Sequence, residues 1–420
     1  MISPADESLA FGPIATLRAS LRNRVLSPVE LIELVLARIE RDEPRLAAWV
    51  EIDHSSALEA ARNADPNAPL GAIPFGVKDV IDVRGMPTRF GANISAPTPQ
   101  LDAWCVAAVR RSGAIPLGKL HTTPFAYADP APTKNAIDSA RSPGGSSSGS
   151  GAAVGAHQIP FAFGTQTGGS TLRPAAFNGV VGFKPTFGVI PTAGLAMLAP
   201  TFDTVGIIAR TVSDVLDVFD VYRPDVLGEI APQAPRVIDA LEYRTDISGP
   251  HVCAAIDRVL ETLAGAGVIR TKRTLPPVVE HVENNWRDIA AYEASAVLPP
   301  IVEGVSGFPR IEKLVAQGHQ MDAACYREAR RLRSEIVVEL GTLLSECDFV
   351  VLPSAGEVPK FGAMGDAHFL RVWSLGGFPS ISIPVGFDAT GLPIGMQIVA
   401  NRFDDQRLLA FARWTEAKIA

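Results

Sequence analysis

Residues 142–174 read SPGGSSSGSGAAVGAHQIPFAFGTQTGGSTLRP, a stretch that contains no acidic residue and no lysine or arginine before Arg173. Glycines lie beside hydroxyl-bearing residues at both ends, and the middle is apolar. Glycine allows positive φ and close backbone approach, and consecutive N–H groups around glycines can bind an anion. The stretch therefore predicts two hydroxyl-bearing glycine loops joined by buried backbone, and neither a mobile Gly/Ser linker nor a membrane span.

The second of these loops, TQTGGS at 165–170, carries the chemistry of a nucleophile. Ser170 follows two glycines, so backbone N–H groups can converge beside its hydroxyl as an oxyanion hole. A serine nucleophile also needs a base, and the candidate is Lys78 in the apolar run 73–82. Burial would lower the pKa of that amine from its reference value of about 10.4. Taken alone, these residues favour the other interpretation, a solvated lysine in an edge strand.

Three familiar templates fit the glycine loops poorly. Residues 113–120, GAIPLGKL, lack the Ser or Thr that binds Mg²⁺ in a P-loop. The glycines at 149–155 have no buried strand before them, which a dinucleotide loop requires. The GSSSG run at 145–149 matches G-x-S-x-G but lacks the preceding strand and a histidine in a distinctive loop behind it. None of the three predicts the function.

The sequence resembles the amidase signature family. The resemblance rests on GVKD at 76–79, GGSSSG at 144–149 and GGS at 168–170, with Ser146 and Ser170 separated by 24 positions. RPAAF at 173–177 follows in the expected order, and weaker similarity reaches DTVG at 203–206 and GLPIGMQ at 391–397. The resemblance covers nearly the whole chain and is strongest over 71–210. Because of this resemblance, we expect Lys78 to be a buried base and not a solvated lysine in an edge strand.

The resemblance implies a Ser–Ser–Lys triad. Ser170 would attack an amide carbonyl, and Ser146, which lies on a cis peptide in the family, would pass the proton to Lys78. No metal and no organic cofactor is implied. The oxyanion hole would be formed by the backbone N–H groups of Thr167, Gly168, Gly169 and Ser170. The hydroxyl groups that would support the relay belong to Ser147 and Thr165.

Two departures from the common family pattern concern the substrate. Gln166 stands where an acidic residue is usual, and Arg173 lies three positions after Ser170 instead of two. In both respects the chain is similar to malonamidase-like members, which act on small carboxylated amides. We therefore expect Arg173 to bind a substrate carboxylate with its planar fork, and a structural ion pair is the alternative. Phe125, Tyr127 and the 300–370 region are further candidates for the substrate pocket.

The expected fold class is α/β, with one large domain over 1–420. Alternating helices and strands indicate a sheet covered by helices on both faces, and the resemblance implies mixed strand direction. The signature core lies at about 71–210, an N-terminal helical segment at about 1–65, and a helical, variable segment at about 226–345. SPVE at 27–30 predicts a capping box that opens a helix. Helices are further predicted at 104–111 and 251–266, and strands at 180–181, 349–352, 381–385 and 395–400.

Composition narrows the remaining function classes. The 420-residue chain has a net charge of −7 and no basic stripe, which argues against nucleic-acid binding. Its four cysteines are far apart and lack metal-ligand spacing, so neither a zinc site nor a disulfide framework is expected. The first 21 residues lack a signal pattern, which predicts a cytoplasmic protein without membrane contact. The expected partner is a small-molecule amide, and dimers among relatives leave a homodimer open.

The leading prediction is a free-standing amidase that cleaves the C–N bond of a small amide. One alternative is the glutaminase subunit of an aminoacyl-tRNA amidotransferase, which would need partner subunits and an ammonia route. The shifted Arg173 argues against it. The other alternative is a non-catalytic partner subunit of the same fold, against which the retained Lys78, Ser146 and Ser170 argue.

Overall fold

A computed structural model describes residues 9–92, 94, 96–223, 234–240, 247–298, 306–362 and 364–419. Its centre is one eleven-stranded sheet with the order β1-β3-β2-β4-β6-β5-β10-β11-β9-β7-β8. The strands are β1 Trp49–Ile52, β2 Pro74–Lys78, β3 Ile115–Leu120, β4 Phe161–Gln166, β5 Val181–Lys184, β6 Thr204–Ala209, β7 Arg236–Asp239, β8 Ile269–Lys272, β9 Phe349–Pro353, β10 Ser380–Phe387 and β11 Pro393–Val399.

Helices precede, connect and follow these strands. They are α1 Ile14–Arg22, α2 Pro28–Leu46, α3 His54–Arg62, α4 Trp104–Arg111, α5 Ser148–Gly155, α6 Leu172–Phe177, α7 Val212–Phe219, α8 Pro250–Gly265, α9 Val282–Val297, α10 Pro309–Gln320, α11 Ala323–Ser345, α12 His368–Gly376 and α13 Asp405–Ile419. Two short 3₁₀ turns cover Pro124–Ala126 and Pro277–His281.

The sheet is mixed, as expected. β2 runs parallel to β3 and β4, and β7 runs parallel to β8 and β9. The strands between these groups pair antiparallel. Every residue of β2, β4 and β6 is buried. A strand buried at all positions has no solvent-facing side, so layers cover both faces of the sheet here.

Several local predictions are confirmed. Ser27 Oγ accepts from the Glu30 amide at 3.2 Å while Glu30 Oε2 accepts from the Ser27 amide at 2.8 Å, which closes the capping box of α2. The predicted helices and strands correspond to α4, α8, β5, β9, β10 and β11. Most of the predicted ends differ from the observed ends by two residues or fewer. The predicted helical segment 226–345 also supplies β7 and β8, and its residues 226–233, 241–246 and 299–305 lie outside the described residues.

The centre of the sheet fixes the strands that lead into the predicted site. Phe75 of β2 stacks on Phe161 of β4 with ring centroids 5.1 Å apart, and Phe163 packs edge-on against both. Neighbouring parallel strands end at the same edge of a sheet, where ligand sites of α/β folds form. The ends of β2 and β4 therefore bring Lys78 close to the loop that contains Ser170.

Candidate active site

Lys78 is the last residue of β2, an inner strand, and its side chain is fully buried. The solvated edge-strand lysine considered from sequence is therefore wrong. Its Nζ donates to Ser146 Oγ at 2.7 Å and to Thr165 Oγ1 at 2.8 Å. Burial lowers the pKa of Lys78 to about 7, although the Asp203 carboxylate opposes this shift. An amine with that pKa is partly neutral at neutral pH and can accept a proton.

Ser146 lies in the first glycine loop, directly before α5. The Gly145–Ser146 peptide is cis, as the resemblance implied, and Gly144 has a φ of +73°. A Cβ on Gly145 would lie 2.8 Å from the sulfur of Met364, so a side chain at this position would require Met364 to move. The Ser146 carbonyl accepts from the Thr123 amide at 3.0 Å, which fixes the loop from the other side.

Ser170 lies in the turn between β4 and α6. Its carbonyl accepts from the Ser147 amide at 3.2 Å, which holds the two glycine loops together. Within the described residues, the hydroxyls of Ser146 and Ser170 form no direct hydrogen bond. The backbone N–H groups of Thr167, Gly168, Gly169 and Ser170 likewise donate to no acceptor in the described chain. Their assignment as an oxyanion hole stays a prediction.

Ser147 and Thr165 connect the lysine to both loops. The Ser147 hydroxyl accepts from the Thr165 amide at 3.2 Å and donates to the Thr165 carbonyl at 3.3 Å. A Cβ on Gly164 would lie 2.8 Å from Ser147 Oγ, so glycine at this position allows the contact. Because the Thr165 hydroxyl accepts from Lys78, these two residues orient the amine, consistent with their predicted supporting role.

Gln166 fixes the start of α6. Its Oε1 accepts from the amides of Thr171 at 2.9 Å and Leu172 at 3.1 Å. Its Nε2 donates to the Ser374 hydroxyl at 2.9 Å, and that hydroxyl donates to the Gly168 carbonyl at 2.6 Å. A carboxylate could accept the first two bonds but could not donate the third. This glutamine therefore ties the second glycine loop, residues 165–170, to α12.

Asp203 is a buried charge that the sequence analysis did not assign. Its Oδ1 accepts from the Thr167 hydroxyl at 2.5 Å, and its Oδ2 accepts from the amides of Leu198 at 2.6 Å and Ala199 at 2.9 Å. Burial raises the pKa of Asp203 to about 6, against the effect of these hydrogen bonds and of Lys78. The sequence did contain a signal for Asp203, because DTVG at 203–206 is part of the resemblance to the family. No role was assigned to this residue from that resemblance.

Two further side chains from distant parts of the chain lie at the second glycine loop. Trp286 Nε1 donates to the Thr167 carbonyl at 3.1 Å. The Arg371 guanidinium lies over the Trp286 ring, 4.7 Å from its centroid, and forms an ion pair with Glu283. No pattern in the sequence connects these residues to the glycine loops, because the contacts exist only after α9 and α12 pack on the sheet.

Arg173 contacts main-chain carbonyls. Its Nε and Nη2 donate to the Gly145 carbonyl at 3.1 and 2.5 Å, and Nη1 donates to the Gly365 carbonyl at 2.6 Å. Burial lowers the pKa of Arg173 to about 10. It forms no ion pair with a residue that the structure describes. The fork therefore holds the carbonyl of the cis peptide, and carboxylate binding by Arg173 stays a prediction.

Phe125 and Tyr127 lie on a turn attached to the first glycine loop. The Thr123 hydroxyl donates to the Tyr127 carbonyl at 2.6 Å, and the amide of Thr123 is the one that contacts Ser146. Phe125 has a φ of +54° and borders a mainly apolar cavity of about 240 Å³ together with Phe308 and Ile311. Their role in substrate binding stays a prediction.

Neither a metal cluster nor a membrane-spanning helix occurs among the residues that the structure describes. Over those ranges, no group of three His, Cys, Asp or Glu side chains is arranged to hold a metal ion. None of the helices in the same ranges combines the length and the apolar composition that crossing a bilayer requires.

The chain is similar in sequence to known proteins. The sequence model of the family described as Amidase matches residues 30–409. The chain is 31% identical to a glutamyl-tRNA(Gln) amidotransferase subunit from Chloroflexus aggregans, with 91% of each chain covered. It is 32% identical to the subunit of the same name from Roseiflexus castenholzii, with 94% of this chain and 93% of the relative covered.

Solved structures show the same fold. A crystal structure of an amidase superposes with a TM-score of 0.90 at 27% identity and covers 97% of this chain and 100% of its own. A glutamyl-tRNA(Gln) amidotransferase subunit from Thermotoga maritima gives a TM-score of 0.79 at 26% identity, with 92% and 90% covered. The chain therefore belongs to the amidase family and is a hydrolase of the amidase signature type that acts on carbon–nitrogen bonds.

Proposed function

We propose that this protein hydrolyses the amide bond of a small molecule through an acyl-enzyme on Ser170, releasing ammonia or an amine and a carboxylic acid. The observation that carries the proposal is the buried amine of Lys78, 2.7 Å from the Ser146 hydroxyl and beside the loop of Ser170. The lowered pKa of Lys78, about 7, gives that amine the basicity of a general base at neutral pH.

In the acylation step, Ser170 Oγ attacks the amide carbonyl carbon. The proton of Ser170 passes to Ser146 Oγ while Ser146 gives its own proton to Lys78 Nζ. The carbonyl oxygen becomes an oxyanion, which the backbone N–H groups of residues 167–170 stabilise. When the C–N bond breaks, the Lys78 ammonium returns a proton through Ser146 to the leaving nitrogen. Ammonia or an amine departs, and the acyl group stays on Ser170 as an ester.

In the deacylation step, water attacks the ester carbonyl and gives up a proton along the same route to Lys78. Collapse of the second tetrahedral intermediate returns that proton to Ser170 Oγ and releases the carboxylic acid. No bond in the cycle needs a metal or an organic cofactor. Ser147, Thr165 and Gln166 would hold the Lys78 amine and the loop 165–170 in position during both steps.

The preferred substrate class is a small amide that carries a carboxylate. Support comes from the pairing of Gln166 with the shifted Arg173, which is similar to malonamidase-like proteins. Acyl ureas and aryl anilides are the other classes to compare, with Phe125 and Tyr127 as candidate contacts for an apolar part of the substrate. We also propose that the protein is cytoplasmic and forms a homodimer.

A second candidate is suggested by the relatives. The amidotransferase subunits from Chloroflexus aggregans and Roseiflexus castenholzii are 31% and 32% identical to this chain over more than nine-tenths of its length. In that case the protein would be a glutaminase subunit that passes ammonia to a partner. A non-catalytic partner subunit of the same fold is the third candidate, and the retained contact between Lys78 and Ser146 argues against it.

One assay separates these candidates. The purified chain, without any partner, is incubated with malonamate, neutral short amides, an acyl urea, an aryl anilide and glutamine, and the release of ammonia or amine is measured. We expect hydrolysis of at least one small amide by the chain alone. The second candidate would be supported if glutamine were the only substrate hydrolysed and if this hydrolysis required added amidotransferase partner subunits. No turnover and no labelling by a fluorophosphonate would support the third.

Asp203→Asn tests the charge that acts on the proposed base. An opposite charge favours the ammonium form, so its removal is expected to lower the pKa of Lys78 further and move the acidic limb of kcat/KM to lower pH. The rate should also fall roughly tenfold, because the single oxygen of asparagine cannot accept both from the Thr167 hydroxyl and from the Leu198 and Ala199 amides. Asp217→Asn, which removes a carboxylate paired with Arg18, is the control and should leave the profile unchanged. An acidic limb that stays in place in Asp203→Asn contradicts the assigned coupling.

A further inference from the structure

Helix α12 lies along the nucleophile loop. A Cβ built on Gly169 would lie 2.7 Å from Leu370 Cδ1 and 2.9 Å from Ala367 Cβ, so this face of α12 contacts the loop directly. The Ser374 hydroxyl from the same helix donates to the Gly168 carbonyl. A Cβ on Gly168 would have Arg371 Nε as its nearest neighbour at 3.5 Å. The guanidinium of Arg371 therefore lies beside the predicted oxyanion loop, with no side chain at Gly168 between them.

The Arg371 guanidinium is held in this position from two sides. It stacks over Trp286, whose indole N–H donates to the Thr167 carbonyl of the same loop. It also pairs with Glu283, which is shared with Arg287 at 3.4 Å. Its side chain remains 16% exposed and borders a cavity of about 320 Å³ together with Glu283 and His368. An arginine fixed in this way is oriented in advance and can still be reached by a ligand.

Charges of both signs lie at this end of the site, where Glu280 and Glu283 border the cavity together with Arg371. Burial lowers the pKa of Arg173, and the positive charge of Arg371 lowers it further, while Asp366 opposes both effects. The pKa of Tyr127, raised by burial, is pulled down by Arg371 and then by Arg287. Arg173 and Arg371 are therefore close enough for the positive charge of one to lower the pKa of the other. A bound carboxylate would reduce their mutual repulsion.

We propose that Arg371 is the residue that binds the carboxylate of an anionic amide substrate and so determines specificity. The inference rests on the proposed amidase function. The Arg173 guanidinium donates to the Gly145 carbonyl inside the protein, whereas the partly exposed Arg371 lies beside Gly168. The cavity that Arg371 borders is not lined by Lys78, Ser146 or Ser170. Arg173 is then a positioning residue for the cis peptide. Glu283 competes with the substrate for the Arg371 charge.

The test compares malonamate with malonamide, which have nearly the same shape and differ in the negative charge. A hydrogen bond to a charged group contributes about 1.5–3 kcal/mol, so Arg371→Gln should lower kcat/KM for malonamate roughly 10- to 100-fold, mainly through KM. For malonamide the change should be about threefold or less. Arg371→Lys keeps the charge without the fork and should recover part of the loss. Glu283→Gln should lower the KM for malonamate.

Two variants serve as controls. Arg331→Gln removes an exposed arginine of α11 that pairs with Glu328 and Glu335, and it should leave both substrates unaffected. Arg173→Lys should lower kcat for both substrates alike, because it disturbs the Gly145 carbonyl. Equal losses on both substrates in Arg371→Gln would overturn the inference. A loss confined to malonamate in Arg173→Lys would also overturn it, since the carboxylate would then be bound there.

A binding measurement tests carboxylate binding by Arg371 independently of catalysis. Malonate, the product of malonamate hydrolysis, should raise the melting temperature of the wild-type protein, and Arg371→Gln should abolish this shift. A shift that persists in Arg371→Gln, or no shift in the wild type, contradicts the inference. Failure of the whole amide panel alongside a malonate shift that depends on Arg371 would instead contradict the proposed function.

Discussion

Ser170→Ala is expected to abolish amide hydrolysis, lowering kcat by at least about 10⁴-fold while substrate binding remains. Without the hydroxyl there is no atom that can form the acyl-enzyme, and the oxyanion donors act on water attack alone. The measurement is ammonia release under saturating substrate, combined with covalent labelling by a fluorophosphonate. The wild type should be labelled with one equivalent, and Ser170→Ala should remain unlabelled.

Ser150→Ala is the matched control for this experiment. Ser150 lies in α5, which follows the first glycine loop, but its hydroxyl donates to the Phe163 carbonyl at 2.9 Å. This variant should be labelled and active, with a melting temperature measured alongside. Labelling that survives in Ser170→Ala would mean that another residue is the nucleophile. Loss of labelling in both folded variants would mean that the label reports the shape of the site and not the identity of the nucleophile.

The predicted triad came from the resemblance to the amidase signature family, because the residues alone favoured a solvated Lys78. The positive φ of Gly144 is a local requirement that favours glycine, whereas the close neighbours of Gly145 and Gly164 are the side chains of Met364 and Ser147. The apolar run 73–82 likewise indicated the strand β2, and the apolar stretch before Thr165 was predicted as buried backbone without being assigned to a strand. The capping box at Ser27 is local in the same sense. Features set by four or five neighbouring residues can be predicted from one sequence.

Features that depend on distant segments could not be predicted in this way. Trp286 and Arg371 contact the loop at 167–168 only because α9 and α12 pack against it. The strands β7 and β8 have four residues each, too few for a clear alternation of apolar residues. For Arg173 the residue type predicted a fork for an anion, but burial next to the Gly145 carbonyl gave it a main-chain partner. Residue type fixes what a group can bind, and packing decides which partner is present.

Lys78→Met should remove most activity at neutral pH and lose less at high pH, where hydroxide can take the proton of Ser146. In the wild type, kcat/KM should rise with pH through about 7, the value to which burial lowers the pKa of Lys78. The loss at pH 7 should be on the order of 10²–10⁴-fold, the usual contribution of a general base. A wild-type profile that is flat between pH 6 and 9 would contradict the assignment of Lys78 as the base.

The same variant should be more stable than the wild type. Between pH 7 and about 10.4 the unfolded chain binds a proton on Lys78 that the folded chain does not, so this lysine favours unfolding. A pKa lowered by about three units corresponds to roughly 4 kcal/mol, reduced by the lost hydrogen bonds to Ser146 and Thr165. The advantage of Lys78→Met should be complete at pH 7 and below, and disappear as the pH approaches 10. Chemical denaturation at pH 7 and 9.5 measures it.

Lys184 provides the control that separates stability from catalysis. It is also fully buried, its Nζ donates to the Pro185 carbonyl at 3.0 Å, and burial lowers its pKa to about 7 as well. Lys184→Met should therefore show the same decline of its stability advantage with rising pH, while amide hydrolysis is retained. If both variants lost activity alike, the effect of Lys78→Met on catalysis would be an effect on packing. A stability difference independent of pH would mean that the amine of Lys78 is charged in the folded protein.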